Sequence, residues 1–183
     1  MPIIHQITNI ANSRLFTIES IDLEFNNKKK RTYERLKPKN LETVIVVPII
    51  HNQLLLIQEY GIGTENYRLN FPKGTIKSEE NIINAANREL MEETKFGAKK
   101  IVLLHKLFIS PSYTPGTINI VLAKKLYKKE LKGDEPESLP IIYWPVNHML
   151  KLLNEPNFCD TRNVCALLLT HIWMHNIIKT TIS

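Results

Sequence analysis

The stretch from Gly74 to Phe96, GTIKSEENIINAANRELMEETKF, decides how the chain is read. Ile83, Ala86 and Leu90 recur at helical spacing, and Ser78 ahead of them offers a hydroxyl to cap the amides of Glu80 and Asn81. At about 100° per residue, Glu92 and Glu93 fall roughly −60° and +40° from Glu89, so three carboxylates form one narrow stripe beside the apolar face. Such crowding is locally unfavourable. Like charges one turn apart cost roughly a few tenths of a kcal/mol per pair, and acids in the last turns oppose the helix dipole. A divalent cation reverses both effects, because Mg²⁺ takes carboxylate oxygens and keeps positions open for water and phosphate. Arg88 can pair with Glu92 one turn on and hold one carboxylate in place.

Outward from this helix, residues 61–74 contain three glycines and read as loop. TVIVVPII (43–50) and QLLLIQEY (53–60) are apolar runs around a tight turn at His51 and Asn52, as expected of strands buried on both faces. IVLLHKLFIS (101–110) and TINIVLAKKLY (117–127) are two more strands flanking PSYTPG. The acidic connector GDEPESLP leads to a last strand, IIYWPV (141–146). Helices follow over Asn147 to Leu153 and from Asp160 to about Ile178, with a break at Pro156. Strands in the middle with helices around them predict an α+β sandwich on a mixed central sheet.

Near the N-terminus, Ile21, Leu23 and Phe25 alternate, NNKKK makes a turn, and RTYERLKP resumes the strand pattern. This predicts a β-hairpin region over residues 1–40, ahead of a main domain over 41–183. A hairpin of this size is too small to be stable alone, so it should pack on the body or on a second copy of the chain.

With 183 residues the chain can bury one sizeable core. It has 43% hydrophobic and 23% charged residues, and no apolar run approaches the roughly 20 residues that span a bilayer. The first residues lack a basic segment followed by an unbroken apolar one, so a soluble, cytoplasmic protein is expected. Cys159 and Cys165 are then free thiols. The net charge of +6 favours anionic partners without choosing among them. Lys28, Lys29, Lys30 and Arg31 read as a solvated hairpin tip, since no aromatic residues are interleaved with them. His171 and His175 lack the glutamate of a zinc-protease helix and are read as structural or solvent-facing.

As a pattern, the opening stretch is Gly74, five residues, Glu80, seven residues, Arg88, Glu89, Leu90, any residue, Glu92, Glu93, any residue, Lys95, Phe96. At roughly 6 to 7% usage per residue type, six such fixed positions coincide on the order of once in ten million placements, which rules out a merely solvated face. The pattern resembles the signature of the Nudix hydrolases, with Lys95 in place of its final glycine and Gly97 expected to stop the helix instead. Further similarity runs through SRLFTIESIDLEF, QEYGIGTENY, AANREL, SPSYTPG, GDEPE and RNVCALLL, towards the ADP-ribose pyrophosphatase-like group of that family.

The resemblance implies a Nudix α/β/α sandwich that hydrolyses the pyrophosphate bond of ADP-ribose, diadenosine polyphosphates and NADH with Mg²⁺, or Mn²⁺, releasing AMP. It implies that Glu89 and Glu93 are the principal metal ligands, with Glu92 as a further ligand or water holder and the Lys73 carbonyl as a backbone ligand. Arg88 and Glu80 would orient the site. Pro111 and Tyr113 stand where the family marks ADP-ribose and diadenosine polyphosphate activity, and Arg68 is a further candidate substrate contact. The general base would be Glu135 or Glu137, with Glu135 preferred. The implied partners are a small nucleotide substrate and a second copy of the chain, rather than nucleic acid or membrane. The alternatives are an RNA 5′-end pyrophosphohydrolase and a catalytically weak nucleotide-binding module.

Overall fold

The alternating N-terminal residues form an antiparallel sheet, in the order β1-β2-β3, of β1 (Ile3–Asn12), β2 (Thr17–Glu24) and β3 (Lys30–Leu36). The computed structural model describes residues 1–37 and 42–175. The expected hairpin is β2 and β3, with Ile21 opposite Tyr33 and Leu23 opposite Arg31. The additional strand, β1, has register shifts at Ile4/Gln6 and Asn9/Ala11. Those irregularities break the period-two signal and explain why the pattern does not announce it. These residues and Phe108–Thr117 form one compact unit; Glu42–Leu107 and Ile118–Ser183 form another. The boundary expected at 40/41 lies outside the described residues.

The second unit is built on a seven-stranded sheet. Its strands are β4 (Glu42–Ile50), β5 (Gln53–Gly61), β6 (Asn66–Asn70), β7 (Lys73–Thr75), β8 (Phe96–Phe108), β9 (Thr117–Lys128) and β10 (Ile141–Pro145). The order is β10-β5-β4-β9-β8, with β6 on β5 and β7 on β4. Residues 61–74, read from the sequence as loop, therefore hold two short strands, which pair antiparallel with β5 and β4. Sheet neighbours rather than local pattern decide this. β8 likewise begins at Phe96, ahead of the expected Ile101.

Alternation along β4 divides the core. Val44 and Val46 join Ile76, Ala85, Ala86 and Leu90 on the side of helix α1 (Ile82–Thr94). Ile45 and Val47 join Leu54, Leu56, Phe71 and Leu167 on the side of α2 (Thr161–Met174). This is the expected α/β/α sandwich, and burial on both faces explains why β4 and β5 are continuous apolar runs. Segment 147–153 is a 3-10 helix spanning Val146–Asn154. The expected end of α2 near Ile178 lies outside the described residues, whose helix stops at Met174.

Both ends of α1 differ from expectation. Its N-cap is Asn81, whose side chain accepts from the Asn84 amide at 2.9 Å, not Ser78. Its C-cap is Lys95, in the left-handed region at φ 62°, with its N–H bonded to the Met91 carbonyl. Gly97 is not the helix stop. A Cβ there would lie 2.6 Å from the Tyr127 ring, so that glycine permits a close approach within the sheet. Ile83 is exposed, and Ala85 takes its expected place in the buried stripe.

Candidate active site

The loop-strand Lys73–Thr75 and helix α1 bring the box together. Arg88 is its hub. Its Nε and Nη2 reach the two Glu80 oxygens at 2.9 Å each, and Nη2 also donates to the Thr75 carbonyl at 3.0 Å. Nη1 donates to Glu89 at 2.7 Å and to Glu92 at 2.8 Å. Every N–H of the guanidinium thus has a partner, which assigns Arg88 to positioning three acids rather than to proton transfer. The hydrogen bond from Arg88 holds the Glu80 carboxyl below its usual range, and Glu80 in return pushes the Arg88 guanidinium up.

Glu93 lies deeper. Its Oε2 accepts from the Lys73 backbone N–H at 3.1 Å, which ties the loop before the helix to the helix itself. Burial pushes its carboxyl up to about 9, against the pull of the nearby Lys73 charge. Glu89 is also pushed up by burial, to about 7, although Arg88 pulls it the other way. At Gly74 a Cβ would fall 2.0 Å from Glu89 Oε1, so the first residue of the box is glycine because a carboxylate occupies that volume.

These residues fit a hard divalent cation. The donors are carboxylate oxygens, two of them desolvated well beyond what Arg88 and Lys73 offset, and Gly74 opens the backbone beside them. Among the described residues no three acidic, His or Cys side chains are yet gathered around one point. Arg88 Nη1 holds Glu89 and Glu92, while the Lys73 amide holds Glu93.

A cavity of about 370 Å³ joins the helix to the acidic connector. Glu92 and Glu93 line it together with Glu135 and Glu137. The two candidate bases differ in their partners: Glu137 accepts from the Tyr67 hydroxyl at 2.8 Å, which raises the Tyr67 hydroxyl's pKa. Glu135 curls over Gly133, where a Cβ would meet its Oε2 at 2.1 Å, and its charge helps to raise Glu89. Arg68 lies in a separate cavity that includes Lys73. Pro111 and Tyr113 belong to the first compact unit, where Leu36 N–H donates to the Tyr113 carbonyl at 2.8 Å. Sequence reading missed the Lys73 amide, the Lys73 side chain with Glu59, and Asn163; none belongs to a local pattern, and only tertiary contact reveals them.

Residues 2–35 match the NudE-type Nudix hydrolase N-terminal domain, and residues 39–158 match the NUDIX domain. The chain belongs to the Nudix hydrolase family. It is 50% identical over 173 residues to the ADP compounds hydrolase NudE of Escherichia coli (strain K12), covering 94% of this chain and 93% of that one. It is 26% identical over 165 residues to the ADP-ribose pyrophosphatase of Bacillus subtilis (strain 168), covering 86% and 89%. A crystal structure of an ADP compounds hydrolase matches with a TM-score of 0.94 at 49% identity, over 96% of this chain and 95% of that one. This Nudix hydrolase is accordingly a pyrophosphohydrolase of the α+β class, as its box indicated. Among the described residues no helix is long and apolar enough to cross a membrane.

Proposed function

We propose that the chain hydrolyses the pyrophosphate bond of ADP-linked compounds, namely ADP-ribose, diadenosine polyphosphates such as the triphosphate, and NADH, and releases AMP. The observation that carries this reading is the 50% identity along nearly the whole chain to an ADP compounds hydrolase, joined to a box whose acids are all present. Glu89, Glu92 and Glu93, with the Lys73 carbonyl, would hold Mg²⁺, or Mn²⁺ in its place. The cation supplies neutralisation of the diphosphate and acidification of a water.

The protein's own groups do the rest. Arg88 fixes Glu89 and Glu92 at one turn's spacing, and the Lys73 amide fixes Glu93. Glu135 takes the proton of the attacking water. It is preferred to Glu137 because the Tyr67 hydroxyl already occupies Glu137. Pro111, Tyr113 and Arg68 contact the substrate. The enzyme works in the cytoplasm as a homodimer, which the exposed isoleucines of β1 support.

The test is incubation with ADP-ribose, diadenosine triphosphate and NADH in Mg²⁺, with nucleotides separated afterwards. AMP is expected from each. No AMP from any of them, or faster turnover of triphosphorylated RNA, would overturn the proposal.

A further inference from the structure

A second cavity, of about 300 Å³, contains the Lys73 side chain and shares no lining residue with the cavity of Glu92 and Glu93. Glu59, Tyr60, Arg68, Asn70, Asp160 and Arg162 line it as well. Behind it runs a chain of hydrogen bonds whose orientation is forced. Asn163 has no exposed surface, and its Oδ1 accepts from the Phe71 N–H at 2.6 Å. Its Nδ2 must then donate to Asn70 Oδ1, at 2.7 Å, which turns the Asn70 Nδ2 towards Glu59 Oε2 at 3.2 Å. The same Glu59 oxygen takes the Lys73 ammonium. Burying two amides to set one carboxylate is an arrangement that packing alone does not require.

The chain leaves specific groups open. Glu59 Oε1 has no hydrogen-bond partner among the described residues, because both of its bonds fall on Oε2. Arg68 uses only its Nε, towards Thr64, and Arg162 uses Nε and Nη2, towards Asp160. The cavity thus offers a fixed carboxylate acceptor beside guanidinium donors. Its three cations and two carboxylates suit neither a bare phosphate, which would meet Glu59 and Asp160, nor a nucleobase. Tyr60 is its sole aromatic lining residue, and that ring already makes an edge contact with Tyr67 at 5.4 Å. A sugar carrying a phosphate matches both kinds of group, its hydroxyls donating to the carboxylate and its phosphate accepting from the guanidinium.

We propose that this cavity seats the ribosyl phosphate half of the substrate, the half that does not leave as AMP, with a ribosyl hydroxyl donating to Glu59 Oε1 and Arg68 holding the phosphate. The assignment rests on the reading that ADP-ribose is a substrate. Lys73 joins the two places, since its amide holds Glu93 in the box while its side chain holds Glu59 here.

The experiment measures binding of ribose 5-phosphate and of AMP by calorimetry in Mg²⁺, so that it does not depend on turnover. Glu59→Gln keeps the shape but turns an acceptor into a donor, and Arg68→Gln, in a partly exposed residue, spares the fold. Each is expected to weaken ribose 5-phosphate about tenfold, the effect of one charged hydrogen bond, while AMP changes less than about twofold. Unfolding curves identify any variant that fails to fold, and Arg68→Gln then decides alone. Ribose 5-phosphate bound as tightly by the folded variants as by the wild type overturns the proposal, and so does a loss confined to AMP. Failure of the wild type to cleave ADP-ribose would instead count against the proposed function, with the binding comparison still deciding this site.

Discussion

A carboxyl held as high as that of Glu93 costs stability once it ionises, and the sign of that cost can be worked out. Glu89 and Glu93 move from the ordinary 4.5 to about 7 and about 9. Between those limits the folded, metal-free protein binds protons that the unfolded chain has released. The contribution is therefore intact below about pH 4.5 and is lost as pH rises through 7 and 9. Thermal unfolding in chelator should show stability falling across that range, and Glu93→Gln should flatten the fall. With Mg²⁺ present the same variant should lose at least about a hundredfold in kcat, since the charge it removes belongs to the proposed cation site. Unchanged turnover in folded Glu93→Gln would remove this residue from the metal set. Lys95 gives a second prediction at this scale. A left-handed backbone costs a side-chain-bearing residue about 1 kcal/mol, whereas the exposed Lys95–Glu130 pair contributes little. Lys95→Gly should accordingly raise stability by about 0.5–1 kcal/mol in denaturant titration without changing KM.

Among the elements, α2 and the strand before the box are coupled by one buried side chain. Asn163 on α2 satisfies the Phe71 amide and the Asn70 side chain, and Phe71 and Pro72 lead directly to Lys73. Asn163→Ala strands a buried N–H and should cost about 2–3 kcal/mol, read as a lower unfolding midpoint at unchanged m. If the midpoint stays within error of wild type, the link is incidental. The termini of α1 teach a related lesson. Residue type alone points to Ser78 as the N-cap and Gly97 as the helix stop, whereas the helix uses Asn81 and Lys95. Asn81 prevails because its side chain reaches the Asn84 amide, and Gly97 is withdrawn because Tyr127 packs on it. The first fact is local to the helix end, and the second depends on a residue thirty positions away.

For the whole molecule, the N-terminal strands present Ile3, Ile4, Ile7 and Ile10 with about half of each side chain exposed. Four isoleucines on one strand are more than scattered surface residues. In the proposed homodimer a second copy covers them, so Ile7→Glu should lower the mass measured by sedimentation equilibrium towards that of a single chain. A wild-type protein already sedimenting as a monomer would end that proposal.

The sequence by itself determined the family and the sandwich of helices on a sheet, and it marked the box acids proposed to hold the cation. The reason is physical: a cation site demands fixed carboxylates at helical spacing, and central strands demand unbroken apolar runs, so both leave local marks. Tertiary structure alone decided the strands β6 and β7, the third N-terminal strand, the place of Gly97 against Tyr127, and the anchoring of Glu93 by the Lys73 amide. It also gave Glu137 the Tyr67 hydroxyl as a partner, which supports the proposed choice of Glu135 as base. Each of these depends on a partner outside the segment itself, and such partners leave no periodicity within it to read.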